Sequence, residues 1–253
     1  MFETWVTKYL IVLGILLILY GIIYYTQIVK VNNNYEIKQV HLPTNAILET
    51  TLAEKLPTVI TGSIYNWTDF HDYSPSYLER SYDEQIVFED SMENKDENGN
   101  TIDQFVVIED FYKKINKLDT INEYTKDLHF PYTYNKKYDL IVGKGDGRIN
   151  RESLSRCTSF RHLICQLYGT LKVSLFAPNQ GGYLYPQIGN SNQSMCDFWN
   201  IDEVKYPKFN DAKYIDIMLK QGQILYIPKG WWYCIESGGS VSVISKSKPF
   251  FLL

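Results

Sequence analysis

The side chains that most often bind metals in proteins are few and widely separated in this sequence. Its four histidines are His41, His71, His129 and His162, and its four cysteines are single and spread along the chain. No H-x-D, H-x-H or C-x-x-C pair occurs, although protein metal sites commonly draw on such closely spaced ligands. A lone histidine such as His162 leaves two interpretations open, a metal ligand or a hydrogen-bonded structural residue.

A second group of side chains has the chemistry to bind an anion. Arg148, Arg151, Arg156 and Arg161 lie in or just after a glycine-rich run that begins at residue 143. Arginine forks suit carboxylate and phosphate groups, so an anion-binding loop is one interpretation and solvated surface charge is the other. The run is not a P-loop, because it lacks the Gly-Lys-Ser/Thr ending.

The elements that must position these residues are short apolar runs between glycines and prolines. Leu163–Leu167 and Val173–Phe176 flank Gly169, and Ile224–Ile227 ends at Pro228. Runs of this length with such punctuation predict strands, and their order predicts an antiparallel barrel or sandwich. An aromatic content of 15%, with 21 tyrosines, also favours a β-rich fold.

Other segments have weaker patterns. Hydrophobic spacing predicts a short helix within Pro43–Lys55, followed by a strand at Val59 and Ile60. A further helix is predicted from Ser76, and the acidic, turn-rich run Ser91–Thr101 indicates an exposed loop.

The size and charge of the chain limit its class. At 253 residues and 45% apolar content, it can form one good-sized domain plus an appendage. A net charge of −4 gives no reason to expect a nucleic-acid partner.

An uncharged apolar run occupies Tyr9–Val29. As a helix its 21 residues would span about 30 Å, and it lacks the small-x-small site of a cleaved signal peptide. We therefore expect an N-terminal flank over 1–8, a single-pass transmembrane anchor over 9–29 in membrane lipid, a polar tether over 30–40 and a globular domain over 41–253. The positive charges on the two sides of the anchor nearly balance, so the side of the membrane that the globular domain faces stays open.

The strand region carries a longer pattern, which reads H-L-x-C-Q-L-x-G, then L-F-x-P, L-Y-P and G-x-x-L-Y-I-P-x-x-W-W. It resembles the cupin-like, JmjC-type hydroxylases, in particular their asparaginyl-hydroxylase-like branch. The matching residues are Cys165, Gln166, Gly169, Leu175–Pro178, Leu184–Pro186, Gly222 and Leu225–Trp232, and Leu56–Trp67 is similar to the family's opening segment. The resemblance implies a mainly β, double-stranded β-helix (cupin or jelly-roll) fold with flanking helices.

Members of that family hold Fe(II) with two histidines and one carboxylate, and they use 2-oxoglutarate as cosubstrate. Alignment on the pattern places the three ligand positions at Arg156, Thr158 and Tyr233. Arginine is a permanent cation, threonine is a weak neutral donor, and tyrosine is protonated at neutral pH. The resemblance therefore implies that all three metal ligands are replaced.

The family's other cavity positions also differ here. Its 2-oxoglutarate lysine falls on Leu171, while Lys172 is one place further and so on the opposite face of a strand. The resemblance gives six cavity or ligand candidates: Arg156, Thr158, His162, Lys172, Tyr233 and Ser245. Within the cavity, Arg156 would take a small anionic ligand with Thr158 and Tyr233 as hydrogen-bond partners.

Two modifications follow if the domain faces an oxidising compartment. The family's barrel brings the strands of Cys157 and Cys234 close together, which suggests a disulfide between them. Sequons at Asn66 and Asn192 would then be glycosylation sites.

We weigh three functions. The favoured hypothesis is a membrane-anchored, non-catalytic cupin-like domain that serves binding or assembly with a protein partner or small anionic ligand, without metal or cofactor. The first alternative is a divergent hydroxylase that uses Fe(II) and 2-oxoglutarate through relocated ligands such as His162. The second is a structural membrane or envelope protein, including a viral one. The chain is rich in Asn, Lys, Ile and Tyr, which indicates an AT-rich genome such as those of many giant viruses and some protists.

Overall fold

The computed structural model describes residues 2–25, 29–64, 74, 133–142 and 149–249. Two helices are α1 (Phe2–Tyr24) and α2 (Asn45–Ala53). The strands are β1 (Lys38–His41), β2 (Thr58–Thr61), β3 (Thr133–Val142), β4 (Ile149–Arg151), β5 (Ser155–Arg156), β6 (Arg161–Tyr168), β7 (Thr170–Phe176), β8 (Pro186–Gln187), β9 (Asn190–Ser194), β10 (Ile215–Lys220), β11 (Gln223–Ile227), β12 (Trp232–Gly238) and β13 (Val241–Pro249). Short 3₁₀ helices cover Pro178–Tyr183 and Pro207–Asp211. The predicted helix from Ser76, the loop Ser91–Thr101, the sequon at Asn66, and His71 and His129 lie outside the described residues.

The strands form two sheets. The first has six strands in the order β1-β2-β11-β6-β13-β3, and the second has seven in the order β10-β7-β12-β5-β9-β8, with β4 alongside β12. Neighbours pair antiparallel except β1 and β2, which run parallel. The mainly β prediction is confirmed, and the two sheets are consistent with a cupin or jelly-roll fold.

Strand alternation divides the buried side chains into two clusters. The interior cluster comprises Val59, Ile141, Cys157, Ile164, Leu171, Val173, Leu175, Ala177, Ile217, Leu219, Leu225, Ile227, Trp231, Tyr233, Ile235 and Ile244. The outer cluster comprises Leu154, Phe176, Leu184, Cys196, Tyr206, Phe209, Trp232 and Cys234. Because successive strand residues point to opposite faces, Trp231 and Tyr233 belong to the first cluster while Trp232 and Cys234 belong to the second.

The predicted short helix within Pro43–Lys55 is α2. Thr44 caps it, since its hydroxyl accepts a hydrogen bond from the amide of Ile47 at 3.4 Å. Leu48 and Leu52 on α2 are buried, so the amphipathic spacing in the sequence matches a helix that packs with one face inward.

The transmembrane anchor predicted over residues 9–29 is not supported. None of the helices described here has the length and apolar character required to cross a bilayer.

The disulfide suggested between Cys157 and Cys234 is wrong. All four cysteines are free thiols. Cys157 lies in the interior cluster and Cys234 in the outer cluster, so the two side chains occupy opposite faces of the second sheet.

Candidate functional site

Several polar and aromatic side chains gather at one end of the space between the sheets. We call this end the mouth and define it by Cys157, His162, Ala177, Trp231 and Tyr233. The amide of Cys157 donates to the carbonyl of Trp231 at 2.7 Å, which fixes the end of β5 beside the start of β12. This is the region in which the sequence pattern placed the family's iron.

His162 and Tyr233 meet at the mouth. His162 is 1% exposed, and its ring centroid lies 4.9 Å from that of Tyr233. Its Nε2 atom is buried and has no hydrogen-bond partner among the described residues. Burial, and secondly the charge of Lys246 opposite it on β13, lower the pKa of His162 from 6.5 to about 3. The imidazole is therefore neutral at physiological pH.

Cys157 contributes a thiol to the mouth. Its Sγ lies 3.6 Å from the carbonyl oxygen of Ile227 and 3.8 Å from that of Ser159, as a weak S–H donor. Burial raises the pKa of Cys157 to about 12, so the group stays protonated and is neither a nucleophile nor a ready metal ligand.

Arg156 and Thr158 do not reach the mouth. Arg156 pairs with Trp232 of the outer cluster, whereas Ser155 pairs with the inward-facing Tyr233. Arg156 and Thr158 are both exposed. The structure therefore separates Arg156 from Tyr233 by the thickness of the sheet, and the two do not converge on one ligand.

Lys172 and Ser245 also face away from the interior. Leu171 is 0% exposed in the interior cluster, while Lys172 points outward and forms a 3.1 Å ion pair with Asp216. Ser245 is buried, but its neighbour Ile244 occupies the interior cluster, so alternation directs Ser245 to the other face. Of the six sequence candidates, the structure brings together His162 and Tyr233.

A segment that the sequence predicted to be a polar tether packs against the mouth. We call residues 31–37 the strap. The hydroxyl of Tyr35 donates to the carbonyl of Lys213 at 2.5 Å and accepts from the amide of Ala177 at 3.2 Å. Its ring meets Trp231 edge-on, with centroids 5.7 Å apart, and Tyr35 and Ile37 both pack on the interior cluster.

Asparagines fix the strap at two further points. The Asn33 side chain accepts a hydrogen bond from the backbone amide of Asn179 at 3.0 Å, and the side-chain Nδ2 of Asn32 donates to the carbonyl of Glu54 at 3.0 Å. Sequence reasoning missed this docking. The available signal was the alternation of Tyr35 and Ile37 with polar neighbours, which is a strand-like period.

An open cleft lies beside the strap. Its volume is about 440 Å³, and it is lined by Tyr35, Ala212, Lys213 and Tyr214. Tyr214 also packs on Phe176, with ring centroids 5.1 Å apart. The cleft therefore lies between the strap and the residues that lead into β10.

The mouth does not fit the family's Fe(II) site. Such iron requires two imidazoles and a carboxylate on one face of the metal. The mouth offers one neutral imidazole, the phenol of Tyr233 and the protonated thiol of Cys157. Over the described residues, no three His, Cys, Asp or Glu side chains are grouped so that they could hold a metal ion.

Comparison with known proteins identifies relatives of the barrel segment. Residues 159–246 match the profile of the cupin-like domain. The chain is 37% identical over 79 residues to JmjC domain-containing protein D of Dictyostelium discoideum, covering 30% of this chain and 18% of that protein. It is 32% identical over 78 residues to the lysine-specific demethylase JMJ30 of Arabidopsis thaliana, covering 30% and 18%. It is 31% identical over 91 residues to the human tRNA wybutosine-synthesizing protein 5, covering 35% and 28%.

The matches span less than a third of each of these relatives. They support the JmjC-type resemblance seen in the sequence pattern. The three relatives come from a slime mould, a plant and a human, so they lend no support to the viral interpretation.

Proposed function

We propose that this chain, which carries a cupin-like domain related to JmjC proteins over residues 159–246, uses that domain for binding or assembly and not for hydroxylation. One observation carries the proposal: among the described residues the mouth holds a single imidazole, and Tyr35 and Ile37 of the strap pack on the interior cluster beside it. Fold alone does not establish function, so the groups at this site decide between binding and hydroxylation.

The first support is the chemistry of the interior. The resemblance aligns Leu171 with the family's 2-oxoglutarate lysine, and Leu171 is fully buried among aliphatic side chains. A carboxylate brought against Leu171 would lose hydration without gaining a hydrogen bond or a charge from that side chain, which is unfavourable. Lys172 does not supply the charge, because it pairs with Asp216 on the outer face.

The second support is the strap. A hydroxylase of this family must admit a substrate to the mouth, yet Tyr35 packs against Trp231, one of the residues that define it. Both hydrogen bonds of the Tyr35 hydroxyl go to backbone groups on the rim of the barrel. Catalysis would first require this set of contacts to be broken.

A divergent Fe(II)- and 2-oxoglutarate-dependent hydroxylase is the second candidate. The observation that favours it is the buried Nε2 atom of His162, which has no hydrogen-bond partner among the described residues and lies at the iron end of the barrel. In that case, the remaining ligands would come from other parts of the chain.

Turnover of 2-oxoglutarate separates the two candidates. The full chain is supplied with Fe(II), ascorbate, 2-oxoglutarate and air, and succinate is measured against a matched His162→Gln variant. We expect both proteins to give succinate at the background rate of the mixture without protein. Oxygen-dependent succinate formation that the variant loses would refute the proposal and establish the hydroxylase.

A further inference from the structure

Strand β10 is an edge of the seven-stranded sheet. It pairs with β7 on one side, and no other described strand lies on its second side. Its six residues extend about 20 Å. Met218 on its outward face is 56% exposed, and Asp216 and Lys220 on the same face are also exposed.

Alternate backbone amides of β10 point away from β7, toward the free side of the strand. The amide of Lys220 donates to the side chain of Gln223 at 2.8 Å, although Lys220 stands opposite Thr170 of β7. This amide therefore points away from β7. Because amide directions alternate along a strand, those of Asp216 and Met218 also point to the free side. A row of backbone groups that no described strand pairs is a template for another strand.

The charges on this strand favour a second copy of itself as the occupant. Asp216 and Lys220 lie symmetrically about Met218, two residues before it and two after it. If two copies of β10 pair antiparallel about a two-fold axis at Met218, each Asp216 stands opposite the partner's Lys220. Opposite charges directly across a ladder stabilise it, and like charges destabilise it. A register shifted by one residue would place these charges opposite uncharged side chains.

We propose that β10 is a homodimer interface, at which two copies of this chain join their seven-stranded sheets edge to edge about Met218. The contact is isologous, so one patch serves both partners and closes the assembly at two copies. Asp216, Met218 and Lys220 would each form a hydrogen-bonded pair across the axis, and the Gln223 side chain would release the amide of Lys220.

Site-directed cross-linking of the full chain tests this register. In the Met218→Cys variant the two introduced thiols face each other with Cα atoms about 5.5 Å apart, which suits a disulfide. In the matched Lys220→Cys variant the two thiols are offset by four residues, or about 13 Å, which is too far for a disulfide. Both positions are exposed, whereas the four native thiols are buried. We expect mild oxidation to yield a dimer of the 29.6 kDa chain from the first variant only.

Equal cross-linking of both variants would mean random collision, including contact through the exposed apolar side chains of α1, and would overturn the proposal. Absence of the dimer in both would also overturn it.

A charge exchange gives an independent readout of the same contact. Adding Lys220→Asp to Met218→Cys places like charges across both flanking pairs while it leaves the Lys172–Asp216 ion pair intact. We expect the cross-linking yield to fall by about tenfold. Adding Asp216→Lys together with Lys172→Asp restores opposite charges across the axis and keeps an ion pair with β7, and it should restore the yield. A yield that is unchanged by Lys220→Asp, or not restored by the exchange, would refute the register.

Discussion

Replacement of Tyr35 by phenylalanine tests whether the strap is docked. The change removes the hydroxyl and keeps the ring, so the edge contact with Trp231 at 5.7 Å persists. The amide of Ala177 loses its acceptor and the carbonyl of Lys213 loses its donor. Ala177 is 0% exposed, so its amide has no access to water in the folded protein. An unsatisfied buried donor costs about 1–3 kcal/mol, and we expect the free energy of unfolding to fall by about 2 kcal/mol.

Urea unfolding followed by tryptophan fluorescence measures this loss. Tyr214→Phe is the matched control, because Tyr214 lines the same cleft and the structure shows no hydrogen bond from its hydroxyl to a described residue. The control should change stability by less than about 0.5 kcal/mol. Hydrogen exchange adds a local readout. The exchange rate of the Ala177 amide should rise in Tyr35→Phe and stay unchanged in Tyr214→Phe.

Equal stability of the two variants would refute the docked strap. So would unchanged exchange at Ala177, because a docked strap holds this amide in a hydrogen bond to Tyr35.

Three further predictions test the placement of individual side chains. As pH falls below 6.5, His162 in the unfolded chain takes up a proton, whereas His162 in the folded protein stays neutral until about pH 3. The free energy of unfolding should therefore fall between these two pH values. Urea titrations should show a shallower decline for His162→Gln. Leu171→Ala should cost about 2–5 kcal/mol, whereas Lys172→Ala should cost less than about 1 kcal/mol, because the first leaves an interior cavity and the second breaks an exposed ion pair. Alkylation in denaturant without reductant should modify four thiols, including Cys157 and Cys234, by intact mass.

Each of these has a clear contrary result. An identical pH slope in His162→Gln would show that the imidazole titrates normally. Comparable losses in Leu171→Ala and Lys172→Ala would contradict the assignment of strand faces. Fewer than four alkylated thiols would indicate a disulfide.

The strand core could be predicted from the sequence because its signals are local. The runs Leu163–Leu167, Val173–Phe176 and Ile224–Ile227 lie within β6, β7 and β11. Glycine and proline mark the ends of these runs, and apolar content sets their burial. The same pattern placed Tyr233 after the two tryptophans, and it faces the interior as expected.

The faces of the β5 region and the role of residues 31–37 could not be predicted in this way. Counting from Gln166 fixed a position in sequence, but a strand places adjacent residues on opposite faces, so one residue separates the inward Cys157 from the exposed Arg156. The strap depends on contacts distant in sequence, such as Tyr35 with Ala177 and Lys213. No local pattern specifies such partners.

Metal binding tests the central claim most directly. The full chain is titrated with Fe(II) under anaerobic conditions, and with Mn(II) as a redox-stable substitute, each with and without 2-oxoglutarate, by calorimetry and thermal shift. The proposed binding or assembly function predicts no stoichiometric metal uptake and no thermal shift that depends on 2-oxoglutarate. One equivalent of metal per chain, with a thermal shift enhanced by 2-oxoglutarate, would contradict it and show that a catalytic site is assembled from this chain.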